Sequence, residues 1–241
     1  MADEHKTTEA FFDHLRKAGQ PTGLGLRFVR RAAAHMLAFA AVPPGSRVLE
    51  IGPGRGEFAE LCLAQKMEYH AIEPNAGLAD ALRQKGATVT CARVPPLPAL
   101  DGAFDLVAMV NVMEHMSGLE QALDIACQIR QVLKPGGRFL IHSPDYLSWR
   151  KQFFNCDFSH NYVTTRRRLD QLLVNAGYEG IRSGYMSGPF SGAAAVLIAA
   201  FASRLPFGAL EALFPYCPVC SRLYKLQLTL SRRVLIVGQR Q

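Results

Sequence analysis

The 241-residue sequence lacks an apolar run long enough to cross a bilayer. Its longest, Ala193 to Ala202, has ten residues, against roughly 20 for a membrane-spanning helix. A transmembrane segment is therefore not expected. Nor is a secretory leader, because the opening Met1-Ala2-Asp3-Glu4-His5-Lys6 is polar and no apolar stretch of signal length follows it. A disulfide framework is missing too. The six cysteines are scattered at 62, 91, 127, 156, 217 and 220, which suits a reducing cytoplasm. No short period or biased tract runs through the chain, which excludes collagen, coiled-coil and low-complexity readings. With 49% hydrophobic and 20% charged residues, intrinsic disorder is excluded as the main state. The net charge of +7 permits a nucleic-acid, anionic-membrane or acidic-substrate partner without choosing among them.

What is present reads as one domain over 1–241. Its parts are N-terminal helices (1–44), an α/β core (45–187), an apolar helical insertion (188–229) and a last strand (230–241). In the first part, Phe11, Phe12 and Leu15 mark one helix, broken at Gln20-Pro21-Thr22-Gly23. Phe28, Val29, Met36, Leu37 and Phe39 mark a second, with Arg27, Arg30 and Arg31 on its polar side. From residue 46 strands alternate with helices. Strands are expected at 47–51, 69–72, 88–90, 104–110, 138–141 and 233–237. Helices are expected at 58–65, 76–85 and 119–133, the last with Leu119, Leu123, Ala126 and Ile129 or Arg130 at turn spacing. Thr164 or Thr165 caps a further helix facing inward through Leu169, Leu172 and Leu173. Such alternation predicts a parallel sheet covered on both faces.

The first strand runs into Glu50-Ile51-Gly52-Pro53-Gly54-Arg55-Gly56, and a helix follows. Glycines let the backbone turn tightly and approach a ligand. Ligands of open α/β sheets sit beyond the carboxyl ends of the strands, where this loop lies. Glu73 ends the second strand, where a carboxylate can accept hydrogen bonds from both hydroxyls of a ribose. The spacing is G-x-G-x-G and not the G-x-G-x-x-G of dinucleotide sites. Glu50 beside the loop would repel a pyrophosphate and suits a cationic amino-acid ligand better.

The segments VLEIGPGRGEF (48–58), YHAIEPN (69–75), FDLVAMVNVMEHM (104–116) and LKPGGRFLIHSP (133–144) resemble, in order and interval, the class I S-adenosylmethionine-dependent methyltransferases. The likeness covers roughly residues 45 to 180 plus the last strand. The small-molecule subgroup akin to ubiquinone-biosynthesis enzymes is most similar. The resemblance implies a doubly wound, Rossmann-like, seven-stranded α/β sheet with helices on both faces and the last strand antiparallel. It implies S-adenosylmethionine as cofactor. Gly52, Pro53, Gly54 and Gly56 would line its methionine part, with Glu50 toward the amino group. Glu73 would hold the ribose, with Pro74 and Asn75 flanking the adenosine. Ala92 and Arg93 would border the adenine, and Asn111 and Val112 would lie under the cofactor. Many relatives carry an acidic residue near Ala92 that this chain lacks.

The activity expected is methylation of a small molecule, at oxygen, with an apolar or lipid-linked acceptor. The alternatives are a non-catalytic S-adenosylmethionine-binding protein and a nicotinamide-dependent oxidoreductase. His115, His142 and His160 fall where this fold places its substrate, and His160 and His115 are the candidate catalytic residues. The plainer readings are a helix-capping or loop-ordering role for His160 and a supporting role for His115. Some relatives bind a divalent metal beside the Glu-His pair, but Asn111 replaces one plausible carboxylate, so no metal is expected. Cys217-Pro-Val-Cys220 has no second Cys/His pair and reads as ordinary thiols. Arg166-Arg167-Arg168 reads as a solvated helix face, and no aromatic-interleaved basic platform suggests nucleic acid. The apolar stretch 188–229 packs on the core, covers a hydrophobic acceptor, or makes peripheral contact with a membrane. The expected location is the cytoplasm, with a peripheral place at the inner face of a membrane under the last reading.

Overall fold

A computed structural model describes residues 23–241. The first expected helix, around Phe11 to Leu15, lies outside the described residues. The next is α1 (Gly23–Ala40), which buries Ala33, Met36, Leu37 and Ala40 and turns Arg27, Arg30 and Arg31 to solvent. Then follow β1 (Arg47–Ile51), α2 (Glu57–Ala64), β2 (Glu68–Ile72), α3 (Ala76–Gln84), β3 (Thr88–Thr90) and β4 (Phe104–Val110). A single 3₁₀ turn at Met113–His115 leads to α4 (Leu119–Val132) and β5 (Leu133–Pro144). Two short helices come next, α5 (Tyr146–Trp149) and α6 (Gln152–Asn155), and then α7 (Arg166–Asn175). The remainder is β6 (Glu179–Ser187), β7 (Phe190–Ser191), α8 (Gly192–Ala202), α9 (Phe207–Leu213), α10 (Pro218–Leu230) and β8 (Arg233–Gln239).

The strands form one sheet in the order β3-β2-β1-β4-β5-β8-β6-β7. Strands β1 to β5 pair in parallel, and β8 enters antiparallel between β5 and β6. Seven strands match the expected architecture, and the two-residue β7 extends the edge. Strand β6, with Gly180 and Gly184 among polar residues, carries too weak an apolar alternation to be read as a strand.

The central strands are buried on both faces, as parallel strands under helices must be. Along β4, Val107 and Met109 face one core, with Phe139, Ile141, Ile125 and Leu169. Leu106 and Ala108 face the other, with Leu140, Leu37, Phe58 and Leu82. Strand alternation also sends Glu50 to the same side as Val48. There it meets Tyr69. Helix α4 buries Ala126 and Ile129 of the expected stripe but not its start at Leu119. Ala122, Ile125, Ala126 and Ile129 are buried, whereas Leu119 is 60% exposed. The i, i+3, i+4, i+7 stripe begins at the small Ala122, which lets α4 lie close to the sheet.

At the sheet's switch point, β1 leads back to β2 on one side while β4 lies on the other. The carboxyl ends of β1, β2, β4 and β5 open there into a common space.

Candidate active site

Residue by residue, the floor of that space begins with the loop after β1. Gly52 has φ +67°, and a Cβ there would come within 2.7 Å of a Val112 methyl. Only glycine allows this turn to rest against the chain leaving β4. Gly54, at φ +55°, has open space where a Cβ would point, so the loop presents bare backbone to the cavity. Gly56 packs instead against Leu82 at the start of α2.

Two acidic side chains flank the loop. Glu50 is 2% exposed and accepts a hydrogen bond from the Tyr69 hydroxyl at 2.5 Å. Burial pushes its pKa up to about 8, and the charges of Glu57 and Glu73 push the same way. A cation placed beside this carboxyl would draw its pKa back down and displace the proton. Glu73 accepts from the backbone amides of Gly54 at 3.2 Å and Asn75 at 2.9 Å, and burial raises its pKa too. These bonds hold it at the cavity wall. The Asn75 side chain is committed to capping α3, accepting from Leu78 N at 3.0 Å.

The opposite end is built by the 3₁₀ turn and the segment before α7. Asn111 takes φ +54° as the chain leaves β4, a conformation that asparagine tolerates better than most residues. The Glu114 carbonyl then accepts from the amides of both Asn161 and Tyr162 at 3.0 Å. This pins the Asp157–Tyr162 segment onto the turn and brings two histidines together, with ring centroids 5.0 Å apart.

Their tautomers follow from their partners. His160 Nδ1 donates to the Phe153 carbonyl at 2.6 Å, since a carbonyl can only accept. The Ser159 hydroxyl donates its one proton to Asp157 Oδ1 at 2.6 Å. His115 Nδ1, 2.8 Å from the same Ser159 oxygen, therefore donates to it. With Nδ1 donating, Nε2 of His115 is the acceptor when its ring is neutral. Burial lowers the pKa of His115, with Asp157 opposing that shift and His160 adding to it.

Glu114 lies beneath, 1% exposed, with its pKa raised to about 7 by burial. Its Oε2 is 2.8 Å from Ser143 Oγ, which is 3.0 Å from Thr164 Oγ1, and Thr164 donates to the Pro144 carbonyl at 2.6 Å. Its other oxygen, Oε1, is buried without a hydrogen-bond partner. Ligand atoms of Glu114, His115 and His160 lie within 4.8 Å of one another, a donor set that can hold a divalent cation. No metal was expected because Asn111 stands in place of a carboxylate, but the fold brings His160 to this set instead.

The cavity joining these ends has a volume of about 860 Å³, near the top of the range of about 300–1,000 Å³ for ligand sites. Glu50, Gly52, Pro53, Gly54, Glu73, Pro74, Ala92, Arg93, Asn111, Val112, His115 and His142 line it. Gly56, Asn75 and His160 stand behind the wall. Phe28 and Met36 of α1, read from the sequence only as helix markers, line it too, as do Asp157, Ser159 and Arg233. Arg233 had a visible signal, a cation heading the apolar run Arg233-Val-Leu-Ile-Val237. Its Nη1 donates to the carbonyls of Thr229 at 2.9 Å and Ser231 at 3.3 Å, and its guanidinium lies 4.9 Å from the centre of the Trp149 ring. Burial lowers its pKa to about 10, with Glu114 opposing. The same burial, with the charge of Arg233, drives His142 down to about 3 and keeps that ring neutral.

Comparison with known proteins agrees with this construction. Residues 26–183 match a family model described as a methyltransferase domain. A demethylmenaquinone methyltransferase from Tropheryma whipplei is 27% identical over 163 residues, covering 62% of this chain and 58% of the relative. A ubiquinone/menaquinone biosynthesis C-methyltransferase from Laribacter hongkongensis is 32% identical over 114 residues, 44% of this chain and 46% of that one. A malonyl-[acyl-carrier protein] O-methyltransferase from Methylococcus capsulatus is 27% identical over 155 residues, 58% of this chain and 54% of that one. The chain thus spans about half the length of the curated relatives it matches. In fold, it resembles a methyltransferase from Thermotoga maritima with a TM-score of 0.62 and 20% identity, over 97% of this chain and 98% of the other. A nematode phosphoethanolamine N-methyltransferase solved with S-adenosylhomocysteine, from Haemonchus contortus, gives 0.61 at 16% identity, over 87% and 52% of the two chains. The glycine loop, the two buried carboxyls and the match over residues 26–183 place this chain in the family of S-adenosylmethionine-dependent methyltransferases.

Proposed function

We propose that the chain methylates a hydroxyl oxygen of an apolar small-molecule acceptor, with His115 as the general base. The observation that carries this reading is the single cavity running from Gly54 and Glu50 to the Asp157–Ser159–His115 chain. When bound, S-adenosylmethionine supplies an electrophilic methyl group on a sulfonium. Glu50 is placed to receive its cationic amino group and Glu73 its ribose hydroxyls. The walls align the two reactants and exclude water, and alignment alone can contribute roughly 7–11 kcal/mol toward the barrier.

An acceptor hydroxyl needs to lose its proton as the oxygen attacks. Nε2 of His115 is the acceptor for that proton, and Ser159 and Asp157 fix the ring by holding Nδ1–H. Arg233 in the same cavity favours an acceptor oxygen carrying negative charge. This pairing of base and buried cation suits oxygen better than carbon or a neutral amine. Phe28, Met36, Val112 and Met116 give the walls an apolar character that matches an acceptor with a substantial hydrocarbon part. His160 braces His115 from behind.

The deciding experiment is labelled-methyl transfer from S-adenosylmethionine into a metabolite and lipid extract. Label in an alkali-stable ether supports the proposal. Label in a carbon–methyl product would refute the assignment of oxygen. Tight cofactor binding with no transfer would favour a non-catalytic binding protein.

A further inference from the structure

We propose that α8, α9 and the start of α10 form a docking face for an anionic lipid bilayer, set beside the mouth of the cavity. Helix α8 is built the wrong way round for a water-facing helix. Its small residues Ala195, Ala199 and Ala202 are buried against the fold, whereas Leu197 is 72% and Phe201 70% exposed. A helix that simply covers a core buries its large side chains and offers polar ones to water. The next turns continue the pattern with exposed Leu213, Phe214 and Tyr216.

Concentration in one region strengthens the point. Of the twelve large hydrophobic side chains exposed among the described residues, ten fall within 147–158 and 197–226. These two stretches adjoin. Tyr224 of α10 donates through its hydroxyl to Gln152 at 2.7 Å and accepts from Asn155 at 3.2 Å. The platform is also stapled internally. The buried Gln227 amide donates to the carbonyls of Ala202 at 3.0 Å and Leu205 at 2.6 Å, and its oxygen accepts from Gly208 N at 3.2 Å.

Charge selects the partner. Between 188 and 229 the one acidic residue is Glu211, while Arg204, Arg222 and Lys225 are all exposed. Exposed Arg150 and Lys151 extend the basic border on the neighbouring stretch. Apolar side chains rimmed by cations are what an interface of hydrocarbon and anionic headgroups attracts. Gly192–Leu213 is apolar and long enough to be weighed as a span, at 22 residues with mean hydropathy 1.7. The chain breaks at Ser203–Pro206, however, and the 11 residues of α8 reach only about 16 Å. Helices of that length lie on a bilayer of roughly 30 Å and do not cross it.

The cavity shares this side of the molecule. Gly188 and Thr229, at the two roots of the excursion, line its wall together with Asp157 and Ser159. A docked molecule would take an apolar acceptor from the lipid phase, which rests on the proposed function; the docking itself does not.

Flotation of the full chain with vesicles tests the face directly. Vesicles of phosphatidylcholine with about one third phosphatidylglycerol should carry the protein. Pure phosphatidylcholine, or the mixed vesicles at high salt, should carry several-fold less. The double variant Leu197→Glu, Phe201→Glu should reduce the floated fraction tenfold or more, while cofactor binding by calorimetry stays unchanged. A chain that remains soluble, whether as a monomer or as a dimer burying this face, overturns the proposal. So does flotation that the double variant leaves intact. Loss of flotation with cofactor binding retained separates this test from any failure of the methyl-transfer reading.

Discussion

Glu50 holds its proton far above the ordinary glutamate range because its carboxyl is buried against Tyr69 at the cavity wall. An unfolded chain gives that proton up near pH 4.5, the folded chain near pH 8. The stability tied to this group is therefore intact below about pH 4.5 and is lost as pH rises toward 8. Glu50→Gln is expected to be more stable than the parent at pH 8, and to show no such gain at pH 4.5, by urea unfolding. The same substitution should abolish tight cofactor binding, and binding to the parent at pH 7 should release a proton, visible by calorimetry in buffers of different ionisation enthalpy. Glu73→Ala should weaken cofactor affinity by roughly tenfold or more, the scale of a lost charged hydrogen-bond pair.

His115 titrates in the opposite sense. Its lowered pKa keeps the ring neutral at pH 7, so the acidic limb of kcat should lie below pH 6.5. His115→Ala should cost roughly 10²- to 10⁴-fold in kcat with cofactor affinity within about twofold. The glutamate and two histidines that could hold a cation give a separate check. If His115 works as a base, exhaustive chelation with EDTA should leave kcat unchanged, whereas a cation-dependent reaction would stop.

At the scale of elements, Gly52 joins two strand ends, and Gly52→Ala tests that junction. A methyl group would meet Val112 and force a left-handed residue, so we expect a loss of about 1–3 kcal/mol in stability together with weakened cofactor binding. Both are measurable on one purified variant. Most elements were legible from residues alone, because parallel strands buried on both faces give unbroken apolar runs such as FDLVAMV. Strand β6 was not, since an antiparallel strand near the sheet edge needs no such run. The inner face of α4 was legible at Ala126 and Ile129 but not at Ala122, because alanine carries little signal, yet close packing on the sheet selects it. In the site, the glycine loop and both glutamates stood out by position. The partnership of His115 with Ser159 and Asp157 did not, because it depends on two backbone bonds from a distant segment to Glu114. Arg233 needed the sheet order to reveal what it faces.

For the whole molecule, the cavity draws walls from α1, four strand ends and the roots of the excursion, so ligand and fold are thermodynamically linked. At a cofactor concentration one hundred times Kd, the folded state should gain about 2.7 kcal/mol. The thermal midpoint should rise by several degrees and keep rising with the logarithm of concentration, whereas a ligand that does not bind, tested with NAD, should leave it fixed.

The sheet order has one further consequence. Strands β6 and β8 are antiparallel neighbours, with Met186 opposite Arg233, and the Ser187 hydroxyl donates to the Leu230 carbonyl at 2.6 Å. The excursion between them therefore leaves and re-enters the sheet at nearly the same point, like a hairpin with an enlarged tip. Within that tip only the two-residue β7 pairs with the sheet, at its edge, so the tip can be exchanged or redesigned without altering the pairing of β1 to β6 and β8. The cavity wall that Gly188 and Thr229 supply can thus be reshaped as a cassette, while the glycine loop and its two carboxyls stay untouched.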